Sequence, residues 1–256
     1  DGGNLIIDAK DLEKFLEIDP RAKKFIRKFM MGEEFIKDLP RYCLWLVDAT
    51  PHEIKSTKNI YARVMACKKF RLSSKAEPTQ SAAKTPWLFG EIRQPTDGNF
   101  IVIPEVSSSY REYIPIGFLN SEIIAKNQMR IIPNGSLELF GILTSSIHMA
   151  WIRIVCGRLG TGYDYSINIV YNNFPFPKSN SKIKSTARKI LDARDPNKSL
   201  AELYDPNSMP ADLRRAHDEN DRAVLDAYKF PRSITESEII SKLFEMYQAQ
   251  IKIDPR

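Results

Sequence analysis

The segment at residues 106–113, VSSSYREY, places three serines, two tyrosines and an arginine within eight positions. Such side chains offer many hydrogen-bond donors and acceptors, and arginine and serine are among those that read base edges in DNA. Apolar runs at 100–103 and 114–118 flank the segment and predict short strands. Because binding residues concentrate on loops held by a rigid scaffold, the segment is interpreted either as a ligand- or DNA-facing loop or as an ordinary surface loop.

A second feature is a basic stretch. Between residues 54 and 76 there are seven basic side chains and no acidic one, in a chain with a net charge of +6 and a pI near 9.1. One interpretation is a solvated helix face. The other is a surface that contacts phosphates, since lysine and arginine supply most contacts to nucleic-acid backbones.

Catalytic and metal-binding patterns are incomplete in this sequence. Asp48, Glu53 and Lys55 resemble the carboxylate–carboxylate–lysine set of a metal-dependent nuclease, but that set needs a strand, and Pro51 predicts a helix here. His52-Glu53 begins a zinc-protease pattern, yet Ser56 stands where the second histidine belongs.

Four further patterns also fail. Gly157, Gly160 and Gly162 are not followed by the Lys-Ser/Thr of a phosphate loop, and His148 has no second ligand at a useful spacing. The segment NFPF at 173–176 has Phe where amino-methyltransferases carry the first proline of Asn/Asp-Pro-Pro-Tyr/Phe. The three cysteines are unpatterned, which favours small buried hydrophobic side chains over a disulfide framework or a zinc site.

The element that must position these residues is a long apolar helix. Leu139, Leu143, Ile147, Ala150 and Ile154 recur at helical spacing and predict one continuous buried helix of roughly 35 Å, capped near 134–136 and ended by glycines after 156. A polar aromatic turn, a strand at 167–171 and a proline-marked exit follow.

The remaining pattern predicts an α+β protein in which short, largely antiparallel strands surround the long helix, followed by a small all-α segment. No window is long and apolar enough for a membrane span and no signal peptide is recognised, so a cytoplasmic location is expected. Helices are predicted at 11–18, 21–30, from 51 onward, and at 183–194, 211–228 and 236–251; strands at 41–47, 88–93, 100–103, 114–118 and 129–132; and a loop at 73–85.

Five stretches resemble one known family, the MmeI-like single-chain restriction–modification enzymes. They are TPWLFGEIRQP, IVIPEVSSSYREYIPIGFL, LFGILTSSIHMAWIRIVCGRL, YSINIVYNNFPFP and LAELYDPNSMPADLRRAHDENDRAVLDAY. The resemblance implies a DNA target recognition domain at 1–177 and a C-terminal helical segment at 178–256. In that family a nuclease, a helical connector and an adenine-N6 methyltransferase that uses S-adenosyl-L-methionine lie upstream.

The resemblance therefore implies double-stranded DNA and the upstream methyltransferase domain as partners, and a role in bacterial defence. It implies no membrane partner and no catalytic, cofactor-binding or metal-binding residue within this chain. Chemistry and motif together give the predicted DNA-facing residues. The base-reading or groove-facing set is Arg93, Ser107, Ser108, Ser109, Tyr110, Arg111, Asn134 and Ser136, and the phosphate-contacting set is Lys68, Lys69, Arg71, Lys75, Arg158, Tyr163 and Tyr165.

Three alternatives remain open at this point. The junction FPFPKSNSKIKSTARKIL also resembles that of a type I restriction specificity subunit, a non-enzymatic DNA-binding module, although two prolines near 204–210 interrupt the single long spacer helix that such a subunit should have. A hidden nuclease or methyltransferase is the second alternative, and a protein–protein scaffold is the third.

Overall fold

The computed structural model describes residues 1–126 and 128–253 and divides them into two compact units. The first consists of Asp1–Glu34, Leu39–Asp97 and Asn120–Lys126, and the second of Phe35–Asp38, Gly98–Leu119 and the described residues from 128 onward. The strands are β1 Ile6–Asp8, β2 Ile26–Met30, β3 Arg41–Leu44, β4 Asn99–Pro104, β5 Val106–Ser107, β6 Gly117–Asn120, β7 Ile123–Ala125, β8 Met129–Pro133, β9 Gly157–Leu159 and β10 Gly162–Asp164. The α-helices are α1 Ala9–Ile18, α2 Gly32–Lys37, α3 Pro51–Ser56, α4 Lys58–Leu72, α5 Glu77–Ser81, α6 Leu137–Leu143, α7 Ser146–Val155, α8 Ser181–Asp192, α9 Leu200–Leu203, α10 Ala211–Tyr228 and α11 Glu236–Ile253.

A four-stranded sheet in the order β1-β3-β2-β7 forms the centre of the first unit. The pairs β1–β3 and β2–β3 are antiparallel, and β2–β7 is parallel. Helix α4 buries Ile60, Val64 and Cys67, which recur at helical spacing, and two of them pack in one cluster with Ile7 and Leu44 of the sheet. The predicted helix beginning at Pro51 is confirmed, with a Thr50–Glu53 capping box.

The helix predicted at 21–30 is wrong. A 3₁₀ turn covers Pro20–Phe25, and the Asp19 carboxylate accepts a hydrogen bond from the Arg21 backbone N–H at 3.0 Å. The chain then enters β2, where Ile26 pairs with Leu44 of β3. Pairing with a distant strand overrides the local helical preference of this segment.

The segment at 73–85, predicted to be a loop, contains α5 and a 3₁₀ turn at Ala82–Lys84. The strand predicted at 88–93 is wrong, because residues 85–98 are irregular. Buried Arg71 organises the beginning of this region. Its guanidinium donates to the carbonyl oxygens of Ala82, Thr85 and Leu88 at 2.8, 3.0 and 2.6 Å.

The second unit contains two small sheets, β6-β4-β8 and β5-β10-β9. Strand β4 is buried from Phe100 to Pro104 and runs antiparallel to β8, from the pair Phe100–Pro133 to the pair Pro104–Met129. The strands predicted at 100–103 and 129–132 are confirmed, and the strand predicted at 114–118 overlaps only the start of β6. The antiparallel strands and C-terminal helices confirm the predicted α+β class.

The predicted long helix is two helices. The chain breaks at Thr144 and Ser145, where the Ser145 hydroxyl accepts from the His148 N–H at 3.3 Å and caps α7. The Thr144 hydroxyl donates to the Phe140 carbonyl at 2.8 Å. Serine and threonine side chains compete with the helix for backbone hydrogen bonds, so a break occurs although the apolar spacing continues on both sides.

The strand predicted at 167–171 is a π-helical turn, Ile167–Tyr171. The Ser166 hydroxyl caps it, and the Trp151 indole N–H of α7 donates to the Val170 carbonyl at 3.0 Å. A short apolar run does not distinguish a strand from a helical turn, and here the packing against α7 decides.

The three predicted C-terminal helices are confirmed as α8, α10 and α11, and a short helix, α9, lies between the first two. Asn220 of α10 donates to the Gly141 carbonyl of α6 at 2.7 Å. Arg214 pairs with Glu112 at 2.6 Å, outside its own helix, and Lys189 of α8 pairs with Glu219 at 2.6 Å.

No helix in the described ranges is long and apolar enough to cross a membrane.

Gly141 should tolerate no side chain. A Cβ there would lie 2.6 Å from Ile183 Cγ2 and 3.0 Å from Ala187 Cβ, both on α8. We expect Gly141→Ala to lower the free energy of unfolding by about 1–3 kcal/mol, the usual cost of overpacking a core, as measured by urea denaturation.

Gly90→Ala is the matched control, because nothing lies within 4 Å of a Cβ at Gly90 and its φ is not positive. Equal stability of the two variants would contradict the close approach of α6 and α8.

Candidate nucleic-acid interface

The predicted DNA-facing loop begins at the three-stranded sheet β5-β10-β9. Tyr163 of β10 pairs with Ser107 on one side and with Arg158 on the other. The β9–β10 hairpin turns at Gly160, whose φ of +59° is in the left-handed region that glycine adopts without strain. A Cβ at Gly162 would lie 3.0 Å from the Ser107 carbonyl oxygen, so glycine permits the close pairing of β5 with β10.

Hydrogen bonds within and after the loop define its shape. The Ser108 hydroxyl accepts from the Tyr110 N–H and the Ser108 carbonyl from the Arg111 N–H, both at 3.3 Å. Glu112 pairs with Arg214 of α10, and the Tyr113 hydroxyl donates to Asp221 of α10 at 2.8 Å. The loop is therefore held by β5 at one end and by α10 at the other.

Arg111 is the most informative side chain of this loop. It is half-buried, and this burial lowers the pKa of its guanidinium, with a smaller opposing effect of Asp205. Among the described residues its guanidinium has neither a hydrogen-bond acceptor nor an ion pair. A partly desolvated arginine without an internal acceptor is suited to an external one, such as the paired acceptors of a guanine edge.

Residues 107–110 differ in how far their side chains are exposed to solvent. Tyr110 is 77 % exposed, and Ser108 and Ser109 are half-buried, so all three are accessible to a partner. Ser107 is only 2 % exposed, and its hydroxyl has no hydrogen-bond partner among the described residues. The prediction for Ser107 therefore needs correction, because its side chain is buried and inaccessible to a partner.

The predictions for the two aromatic residues of β10 and its exit also need correction. Tyr163 is 4 % exposed and Tyr165 is fully buried, with its hydroxyl 3.0 Å from His148 Nε2. Burial lowers the pKa of His148 to about 3, so this pair is neutral and belongs to the core. Exposed Arg158 instead lies over the Tyr163 ring, 4.3 Å from its centroid, so the guanidinium of Arg158 is the accessible part of this group.

Asn134 and Ser136 do not lie beside the loop. Asn134 follows Pro133, which pairs with Phe100 at one end of β4, whereas β5 and the loop follow the other end of β4. The two ends of that ladder are about 14 Å apart at the usual rise of a strand. Exposed Asn134 has a φ of +53°, and the Ser136 hydroxyl caps α6 by accepting from the Leu139 N–H at 3.1 Å.

The other predicted residues belong to the first unit. Arg93 is exposed and pairs with Glu91 at 2.7 Å. Lys68, Lys69 and Lys75 are exposed on or just after α4. Arg71 is 3 % exposed and holds three carbonyl groups, which corrects its prediction as a phosphate contact.

Asp221 is a residue that the sequence analysis missed. Besides Tyr113, its carboxylate accepts from the Ser146 N–H at the start of α7, at 2.7 Å. Burial raises the pKa of Asp221 to about 6 against the opposing effect of these hydrogen bonds. In the sequence it is one of several acids in a charged helix, and its burial among them has no local signal.

The described residues contain no cluster of three or more His, Cys, Asp or Glu side chains that could hold a metal ion. The accessible chemistry of the loop consists of hydroxyl groups, an aromatic ring and guanidinium groups. These groups are suited to recognition rather than to bond making.

Comparison with protein families and solved structures decides the family. The family model described as the MmeI target recognition domain matches residues 1–178, and that of the MmeI C-terminal domain matches residues 176–253. This chain belongs to the MmeI family. The resemblance inferred from the sequence motifs is thereby confirmed.

Two relatives illustrate the MmeI family match. DNA methyltransferase A of Bacillus subtilis (strain 168) is 36 % identical over 253 residues, which are 97 % of this chain and 29 % of that protein. A solved structure of the type IIL restriction-modification enzyme MmeI in complex with DNA is 40 % identical, with a TM-score of 0.94 over 98 % of this chain and 34 % of that one. The chain thus spans about a third of the length of these two relatives.

The raised pKa of Asp221 has a consequence for stability. Between the pKa of an unfolded aspartate and about 6, the folded protein binds a proton that the unfolded chain has released. The contribution of Asp221 to stability is therefore fully present below the pKa of an unfolded aspartate and is lost as the pH rises from there through about 6. Asp221→Asn removes this titration.

We expect the free energy of unfolding of the wild type, relative to Asp221→Asn, to fall by about 2 kcal/mol between pH 4 and pH 7, because each pKa unit corresponds to about 1.4 kcal/mol and an unfolded aspartate is already partly ionised at pH 4. Urea denaturation of both proteins at each pH measures this difference. A difference that stays constant or grows with pH would show that Asp221 is not buried as described.

Proposed function

We propose that this chain is the sequence-specific recognition module for double-stranded DNA of a restriction–modification DNA methyltransferase. One observation carries the proposal: the match to the MmeI target recognition domain includes a polar loop that presents a half-buried arginine without an internal acceptor. The relative solved with DNA supports DNA as the partner.

In this proposal the loop and the adjoining hairpin approach a groove of the duplex. Arg111 reads a base edge, and the hydroxyls of Ser108 and Ser109 accept or donate nearby. Exposed Tyr110 and Arg158 contact the sugar-phosphate backbone or the groove wall. Buried Ser107, Tyr163 and Tyr165 support these residues from below.

A second group supplies sequence-independent affinity. Lys68, Lys69 and Lys75 are exposed, and we assign them to phosphates. We omit Arg71, because its guanidinium is used within the fold. Arg93 remains a proposed groove contact, and its ion pair with Glu91 must break before its guanidinium can bind DNA. Asn134 and Ser136 remain proposed contacts at the far end of β4.

We further propose that the full polypeptide methylates adenine at N6 with S-adenosyl-L-methionine, in a methyltransferase domain upstream of this chain. The curated relative, a DNA methyltransferase about three times longer, supports this arrangement. Mapping N6-methyladenine in DNA from cells that express the full polypeptide tests it. Methylation at another base or position would overturn this part while leaving DNA recognition standing.

The type I specificity subunit is less well supported. A long spacer helix should follow the recognition domain in such a subunit, but here α8 ends at Asp192 and a short α9 precedes α10. The MmeI C-terminal domain model also matches this region.

Selection of bound duplexes from a randomised pool tests the recognition proposal directly. We expect the chain to enrich one short motif. Arg111→Ala should cost about 1–3 kcal/mol in binding that motif and relax the preference at one base pair, because a bidentate contact is lost.

Arg111→Lys keeps the charge but loses the planar fork, so it should relax the same base pair while retaining more of the non-specific affinity. Arg215→Ala, which removes an exposed arginine from α10, is the charge control. An unchanged motif in both Arg111 variants would exclude Arg111 as a base-reading residue.

Lys69 should behave differently from Arg111. Lys69→Ala is expected to weaken target and non-target duplexes alike and to lower the slope of log affinity against log salt by about 1, since one released counterion is lost. Titrations at several salt concentrations measure this slope. Lys10→Ala, which removes an exposed lysine from α1, provides the comparison. A loss of affinity by Lys69→Ala that is confined to the target sequence would contradict the assignment.

A further inference from the structure

We propose that the exposed basic face of α8 is an additional phosphate-contacting surface, formed by Lys182, Lys184 and Arg188. The inference rests on the proposed DNA partner and extends it to the C-terminal helices. Residues 178–256 contain 15 basic and 13 acidic residues, so this nearly balanced total does not reveal a basic face.

The packing of α8 determines which of its side chains reach the solvent. Ile183, Ala187 and Ile190 are fully buried on one side of the helix, where Gly141 of α6 approaches closely. The side chains of Lys182, Lys184 and Arg188 are exposed. The structure therefore leaves these cations in the solvent while the apolar stripe holds the helix in place.

These three cations have no counterion among the residues that the structure describes. No carboxylate in the described part of the chain lies within 4 Å of Lys182, Lys184 or Arg188, whereas Lys189 of the same helix pairs with Glu219 at 2.6 Å. From residue 178 to residue 191 there are five basic residues and no acidic one, and Asp192 follows at the end of the helix.

This arrangement works against the stability of the isolated helix. Lys184 and Arg188 are four residues apart on one face, and like charges at that spacing repel. Lys182 and Lys184 lie in the first turn of the helix, where the helix dipole disfavours cations. An anionic partner would relieve both effects.

The start of the helix is not itself the proposed site. Glu138 of α6 accepts from the Asn180 N–H at 2.6 Å and from the Ser179 hydroxyl at 2.9 Å, so an internal carboxylate already occupies that position. The Asn180 side chain accepts from the Lys182 N–H at 3.0 Å. The attraction for an external anion therefore comes from the three side chains alone.

The dimensions fit one strand of a duplex. Lys182 and Arg188 are six residues apart, which is about 9 Å along an α-helix and about 120° around its axis, so a strand would meet them across the width of the exposed side. A strand of B-DNA presents one phosphate per about 3.4 Å of axis, so two or three phosphates match this length. Flexible lysine and arginine side chains accommodate the remaining differences in spacing.

The test is the salt dependence of duplex binding by the full chain. The triple variant Lys182→Ala/Lys184→Ala/Arg188→Ala should bind more weakly to every sequence, and its slope of log affinity against log salt should be smaller than that of the wild type by about 2–3. The motif selected from a randomised pool should be unchanged. A slope equal to that of the wild type would overturn the proposal.

Lys10→Ala/Lys14→Ala/Lys242→Ala is the matched control, because it removes the same charge from exposed positions on α1 and α11. Its slope should stay closer to that of the wild type. If both triple variants lose the same slope, net charge accounts for the effect and the assignment to α8 is wrong.

Lysine acetylation of the wild type gives a readout that needs no variant. A duplex should protect Lys182 and Lys184 and leave Lys242 reactive, whereas the absence of protection would mean that this face binds another partner, such as an acidic protein surface. If the wild type shows no salt-dependent binding to DNA at all, the proposed function fails as well. Binding that persists without any contribution from α8 overturns only this inference.

Discussion

The second unit depends on how α10 satisfies the break between α6 and α7. A helix that ends inside a core leaves backbone N–H and C=O groups without partners, and each costs on the order of 1–3 kcal/mol when it is buried and unsatisfied. Asn220 donates to the Gly141 carbonyl, and Asp221 accepts from the Ser146 N–H. Two adjacent residues of α10 thus complete the hydrogen bonding of two helices that lie far away in the sequence.

The same contact determines the shape of the polar loop. Asp221 also accepts the hydroxyl of Tyr113, two residues after Arg111, while Arg214 pairs with Glu112. A loop tied at both ends loses little conformational freedom when it binds, so more of the interaction energy is available for affinity. Under the proposed function, the helices that follow residue 177 would thus contribute to recognition by holding the loop. The family models meet near residue 177, but the compact unit extends across that junction.

Burial distinguishes the residues that are accessible to the proposed DNA partner from those that are packed inside the fold. Chemistry and motif placed Ser107 in the base-reading set with Ser108, Tyr110 and Arg111. They placed Tyr163 and Tyr165 in the phosphate-contacting set. Tyr163 and Ser107 are paired across β10 and β5 and are both buried, and the Tyr165 hydroxyl lies 3.0 Å from His148 Nε2 in the core. Arg71 of the first unit is likewise buried rather than accessible. Its guanidinium donates to the Leu88 carbonyl in an irregular part of the chain. Composition and spacing contain no signal for these choices, because they depend on which side of an element faces the core.

The sequence by itself determined the family, the α+β class, the C-terminal helices and the position of the polar loop between two strands. These follow from long motifs, from apolar periodicity and from flanking prolines and glycines, all of which are local. Only the tertiary structure decided that the central apolar segment is two helices, that 167–171 is a π-helical turn and that 26–30 is a strand. It also decided that Asn134 and Arg111 lie at opposite ends of β4. For 26–30 and 167–171 the physical reason is a partner distant in sequence that outweighs the local preference: Ile26 pairs with Leu44 of β3, and the Val170 carbonyl accepts from the Trp151 indole N–H of α7. At 144–145 the break begins with local hydrogen bonds of the Thr144 and Ser145 side chains, and Asn220 and Asp221 of the distant α10 complete the hydrogen bonding.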